Sequence, residues 1–93
     1  MHVYYMMPMF GVPYFEVIEP EAGFDPKAML AESAAMAEEN ARTVKGKGSR
    51  RAKADWTSKA ELCRLALADW SDDRVSVQAS GAIHVSLARR VAV

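Results

Sequence analysis

"RVSVQASGAIHVSLARR", Arg74 to Arg90, alternates apolar and polar residues on both sides of Gly81. A period of two is the mark of half-buried strands, so the stretch predicts an antiparallel hairpin. A two-residue turn on Ser80 and Gly81 would set Val77 against His84 and Val75 against Ser86, apolar against polar. A three-residue loop, Ser80 to Ala82, pairs Ala79 with Ile83, Val77 with Val85 and Val75 with Leu87. That register gathers one apolar face and leaves Arg74, Ser76, Gln78, His84 and Ser86 on the other. Matching of faces selects it, although Gly81 then occupies the middle of the loop and not the usual third position.

A sheet face made this way needs a cover, and the residues upstream supply helical patterns. In "TSKAEL", Ser58 and Glu61 have the spacing of a capping box. Trp56, Ala60, Cys63, Leu67 and Trp70 then form a stripe flanked by Leu62 and Ala66, and "SDD" at 71–73 closes the segment. Further upstream, "FDPKAML" starts another helix. Asp25 can cap the first turn, and Pro26 stands where a missing amide costs nothing. Leu30, Ala34, Ala37, Ala41 and Val44 continue at helical spacing with Met29 and Met36 beside them, predicting a helix to about Thr43. Gly46 and Gly48 break it, each costing ~1 kcal/mol relative to alanine inside a helix. Residues 45–55 therefore read as a basic loop between the two helices.

The N-terminal part reads as two short strands, Val3 to Met7 and Tyr14 to Glu19, joined around "FGVP". The expected fold is α+β, in the order ββααββ. It is a single two-layer domain over 1–93 in which an antiparallel sheet is packed on two helices. With 51% hydrophobic and 26% charged residues the chain has the composition of a folded domain. One cysteine, Cys63, excludes an intrachain disulfide and suggests no oxidising compartment. The apolar start "MHVYYMMPMFGVPYF" lacks a basic leader and is interrupted by Pro8 and Pro13. No run approaches the ~18 apolar residues of a membrane helix, so the expectation is a cytoplasmic protein with no membrane contact.

The net charge is zero, yet it is strongly partitioned. From Glu16 to Asn40 seven acids face the single Lys27, whereas Arg42 to Lys53 holds six cations and no acid. The densest part, "KGKGSRRAKADW", places Lys45, Lys47, Arg50, Arg51 and Lys53 within nine positions. A run of this kind is commonly a solvated segment. Its functional reading is a contact for an anionic surface, either an acidic protein or nucleoprotein or the phosphates of a nucleic acid. No aromatic is interleaved in the run, so base stacking is not indicated. Tyr4, Met6 and Phe10 form a second candidate contact within the Met- and Tyr-rich start, one that suits either a partner or a homodimer.

Residues that carry chemistry elsewhere do not assemble into a motif here. His84 falls on the polar strand face and His2 lies near a terminus. Two histidines and one core-stripe cysteine do not match zinc-ligand spacing, and no cofactor is indicated. Glu38 and Glu39 diverge around a helix, and Asp72 and Asp73 lie at a helix end, so neither pair is set for general acid-base work. The glycines of "KGKGS" lack the spacing of a phosphate loop. The expected function is a non-catalytic protein-interaction module that docks on a larger host assembly through the basic loop. In size and absence of motifs alone it is like phage inhibitors such as anti-CRISPR proteins. Direct nucleic-acid binding through the same cations is the alternative.

Overall fold

The structure, a computed structural model, describes residues 1–87 of the chain. It is an α+β fold with the elements β1 (His2–Met6), β2 (Tyr14–Ile18), α1 (Pro26–Thr43), α2 (Ser49–Ala68), β3 (Val75–Val77) and β4 (Ile83–Ser86), the order ββααββ read from the pattern. A short 3-10 turn, Asp72–Arg74, precedes β3. The four strands form one antiparallel sheet in the order β1-β2-β4-β3. The end of the expected alternation, 88–90, lies outside the described residues. The described residues divide into two compact units, 1–26 with 69–87, and Lys27–Ala68.

In the sheet unit, each terminal hairpin contributes one central and one edge strand. Phe15 pairs with Tyr5 on one side and Val85 on the other, and Val17 pairs with Val3 and Ile83. Strand alternation therefore gathers Phe15, Val17 and Val85 on one face, where all three are buried. The Leu87 amide donates to the Pro13 carbonyl at 2.9 Å, extending the β2–β4 ladder, and Leu87 is buried as well.

The C-terminal hairpin has the expected loop length but is displaced by one residue in position. The loop is Ala79-Ser80-Gly81, with Gln78 N donating to Ala82 O at 2.8 Å and Gly81 N donating to Gln78 O at 2.9 Å. Val77 consequently faces Ile83 and Val75 faces Val85, in place of the expected Val77–Val85 and Val75–Leu87 pairs. Gly81 takes φ 88°, a left-handed conformation at the third loop position. That backbone requirement decides between two registers that preserve the same apolar face.

In the helix unit, α1 begins at Pro26 and buries Met29, Leu30, Ala34, Ala37 and Ala41 of the expected stripe, whereas Met36 is exposed and Val44 is half-buried past the helix end. The break at the glycines is also present, with φ 99° at Gly46 and 80° at Gly48. The basic loop over 45–55 is a correction, because it ends at Gly48 and α2 already starts at Ser49. Past the second glycine no residue opposes a helix. "SRRAKADW" is rich in alanine and long straight-chain cations, both favourable in helices. Ser58 and Glu61 are therefore mid-helix and form no capping box. Only Ala60, Cys63 and Ala66 of α2 are buried. Trp56 and Leu67 are half-buried, and Trp70 lies beyond the helix, half-buried, with its indole donating to Asp72 Oδ1 at 3.1 Å.

Candidate functional site

The five candidate cations occupy the turn and the helix start that Gly46 and Gly48 create. Lys45 and Lys47 are exposed in the turn, and Arg50, Arg51 and Lys53 are exposed in the first turns of α2. The turn is closed by Ser49 N donating to Gly46 O at 3.1 Å, and the helix is entered by Ala52 N donating to Gly48 O at 3.2 Å. No acidic residue stands in the first turn of α2. Among the described residues none of these five cations is ion-paired. In contrast, Arg42 pairs with Glu39 and Arg64 pairs with Glu38 at 2.6 Å. Arginines at the positive end of a helix dipole add to its field where acids would offset it, at a cost of ~0.3 to 1 kcal/mol per charge. The segment is thus a place where positive potential accumulates without local compensation.

The other candidates belong to the sheet unit. Tyr4 and Met6 lie on the edge strand β1 and are exposed, and Phe10, in the β1–β2 connection, is 91% exposed. Met9 beside it is 90% exposed. The turn chemistry of "MPMFGVP" explains the projection: Pro8 and Pro13 prevent continued ladder pairing, and Gly11 adopts φ 133°. The site residues inferred from sequence are therefore two groups on two different units, five cations and three apolar side chains.

Several polar arrangements were not legible in the sequence. His84 on β4 stacks on Tyr14 of β2, with ring centroids 4.8 Å apart, and its Nε2 stands 3.7 Å from Glu16 Oε1. That separation exceeds hydrogen-bond reach, so the pair attracts only when the imidazole is charged. The alternation places all three residues on the polar face, but only the β2–β4 register brings them together. Arg74, expected on that same face, is instead buried. Its Nε and Nη2 donate to Asp69 O at 3.2 and 3.1 Å, its Nη1 to Ser86 O at 3.4 Å, and the guanidinium lies 3.5 Å from Asp69 Oδ2. It ties the chain leaving α2 to β4.

Between α1 and α2 a groove of about 580 Å³ is lined by Ala41, Ala60, Leu65 and Thr57, with Glu38, Glu61 and Arg64 at its rim. Cys63 is wholly buried, and burial pushes its thiol above the ordinary value of 9.0, with Lys59 and Arg64 pulling in the opposite direction. Such a thiol stays protonated and unreactive at neutral pH. Burial also lowers the Lys59 ammonium, which sits 5.4 Å above the Trp56 ring. No cluster of three or more potential metal ligands occurs among the described residues. No helix among them is long and apolar enough to cross a membrane.

No family model matches the chain, and searches of curated proteins and of solved structures return no match.

Proposed function

We propose that this chain is a non-catalytic protein-interaction module of the cytoplasm, docking on an acidic surface of a larger assembly through Lys45, Lys47, Arg50, Arg51 and Lys53. The observation that carries the reading is the exposure of all five cations without an ion-pair partner among the described residues, beside two other arginines that have one. A solvated surface helix ordinarily intersperses acids among its bases, and the first turn of α2 has none. An incoming acidic surface would offset both the side-chain charges and the helix dipole. Electrostatic matching of this kind governs encounter rate and partner choice more than affinity. The helical start also holds Arg50, Arg51 and Lys53 in a fixed relation, which lowers the ordering cost that a mobile loop would carry into binding.

The test is a pull-down from nuclease-treated lysate of the source cells with wild type and with Lys47→Ala, Arg50→Ala, Arg51→Ala and Lys53→Ala combined. A protein partner retained by the wild type and lost by the variant supports the reading. The variant should melt at the same temperature or slightly higher, because two cations leave the positive end of α2. Loss of every partner on nuclease treatment would transfer the surface to nucleic acid. Affinity would then fall with salt at a log-log slope near −0.9 per phosphate neutralised on duplex DNA. A collapse of the melting temperature with binding per folded molecule unchanged would make the cations structural and end the proposal.

A further inference from the structure

The two edges of the sheet are built differently. β3 spans three residues and only Gln78 separates it from the tight Ala79-Ser80-Gly81 loop, so it offers a short pairing length. β1 spans five residues, "HVYYM", with no acid, lysine, arginine, proline or glycine, and its pairing with β2 runs without a bulge along its whole length. Soluble proteins protect exposed edges by shortness, by inserted charge or proline, or by a bulge. β3 has the first of these protections and β1 has none. Every second residue of β1 directs its backbone N–H and C=O away from β2, and Val3, Tyr4 and Met6 expose much of their side chains.

We propose that a second copy of this chain pairs with β1, edge to edge and antiparallel, making one continuous sheet of eight strands across a twofold axis. The choice of a second copy follows from the composition of the edge. An isologous seam sets each residue against the same strand, so any formal charge in the middle of β1 would meet its own kind, and residues 3–15 contain none. The register that pairs all five residues centres on Tyr4. It sets Tyr4 against the second copy's Tyr4, Val3 against its Tyr5, and His2 against its Met6. The first is an aromatic pair and the second an aromatic-to-branched pair, both favourable cross-strand combinations. Faces are also conserved. Val3 and Tyr5 lie on the face of Phe15 and Val17, so the buried face would continue through the seam. This assignment is independent of the cationic segment, which lies in the other unit.

The test measures self-association by sedimentation equilibrium from micromolar to millimolar concentration. The wild type is expected to be a dimer, and Tyr4→Lys, which opposes two ammonium groups at the axis, to weaken it by at least about tenfold. Far-UV circular dichroism verifies that this exposed substitution leaves the fold intact. Val77→Lys on the β3 edge should leave the dimer unchanged. In a Cys63→Ala background, Tyr4→Cys should form a covalent dimer on oxidation, since directly opposed strand residues lie within disulfide reach. A monomer at every concentration would overturn the proposal. So would a dimer that resists Tyr4→Lys, dissociates with Phe10→Ser, or fails to cross-link through Tyr4→Cys.

Discussion

The sheet unit and the helix unit divide charge and bulk in opposite ways. By sequence, Lys27–Ala68 carries nine Lys and Arg against five Asp and Glu, and the remainder of the chain carries three against seven. The buried residues of the sheet unit include Phe15, Val17, Val85 and Leu87. Those of the helix unit are mostly alanine, at 34, 37, 41, 60 and 66. A neutral total and an average composition thus conceal two differently built halves. Large side chains supply much buried area at a few positions, whereas an alanine face supplies close approach and little area per residue. Single truncations should therefore register most strongly in the sheet unit.

The sharpest form of that expectation sets Phe15 against Phe10, which are 2% and 91% exposed. Phe15→Ala should cost ~3 to 5 kcal/mol in urea unfolding, because it removes a whole ring from a packed face. Phe10→Ala should stay within ~0.5 kcal/mol. Equal costs would mean that Phe10 is covered in solution and that the contrast between face and tip is wrong.

A smaller loss is expected at Arg74. Arg74→Leu keeps most of the volume but leaves Asp69 O and Ser86 O without the guanidinium donors. Stranding acceptors in a part-buried site should lower stability by ~1 to 3 kcal/mol in the same assay. An unchanged midpoint would show that water replaces the guanidinium and that Arg74 is not a tie.

The smallest effect concerns pH and the helix unit. The Cys63 thiol is raised in the folded state by burial, so the folded chain retains its proton where the unfolded chain has lost it. Its contribution is complete below 9.0 and declines as pH rises through the folded value. The melting temperature of the wild type relative to Cys63→Ala should accordingly fall above pH 9.0 and be flat below it. The lowered Lys59 works in the opposite direction and is itself raised by the Cys63 charge, so the difference reports the thiol together with its coupling to Lys59. A difference that stays level through alkaline pH would place the thiol in contact with solvent.

Pattern alone determined much of this protein, because its signals are local. The alternation around Gly81, the stripe from Leu30 to Ala41, and the paired glycines at 46 and 48 each depend on neighbours within a few residues. They determined the order ββααββ, the apolar strand face and the end of α1. The five cations were legible as a group for the same reason. The start of α2 escapes local pattern because a Ser-x-x-Glu spacing resembles a cap wherever it occurs, and it acts as one only where the amides of a helix's first turn are free. The hairpin position escapes local pattern because two registers satisfy the same faces, and the choice rests on a left-handed backbone that only glycine adopts cheaply. Tertiary structure decided the remainder. Strand order places β1 at an edge and sets His84 beside Tyr14 and Glu16, and contacts with the carbonyls of Asp69 and Ser86 turn Arg74 from an expected surface residue into a buried one. These outcomes depend on which distant segments pair, and the free energy of that choice is shared among many side chains, so no short stretch of sequence contains it.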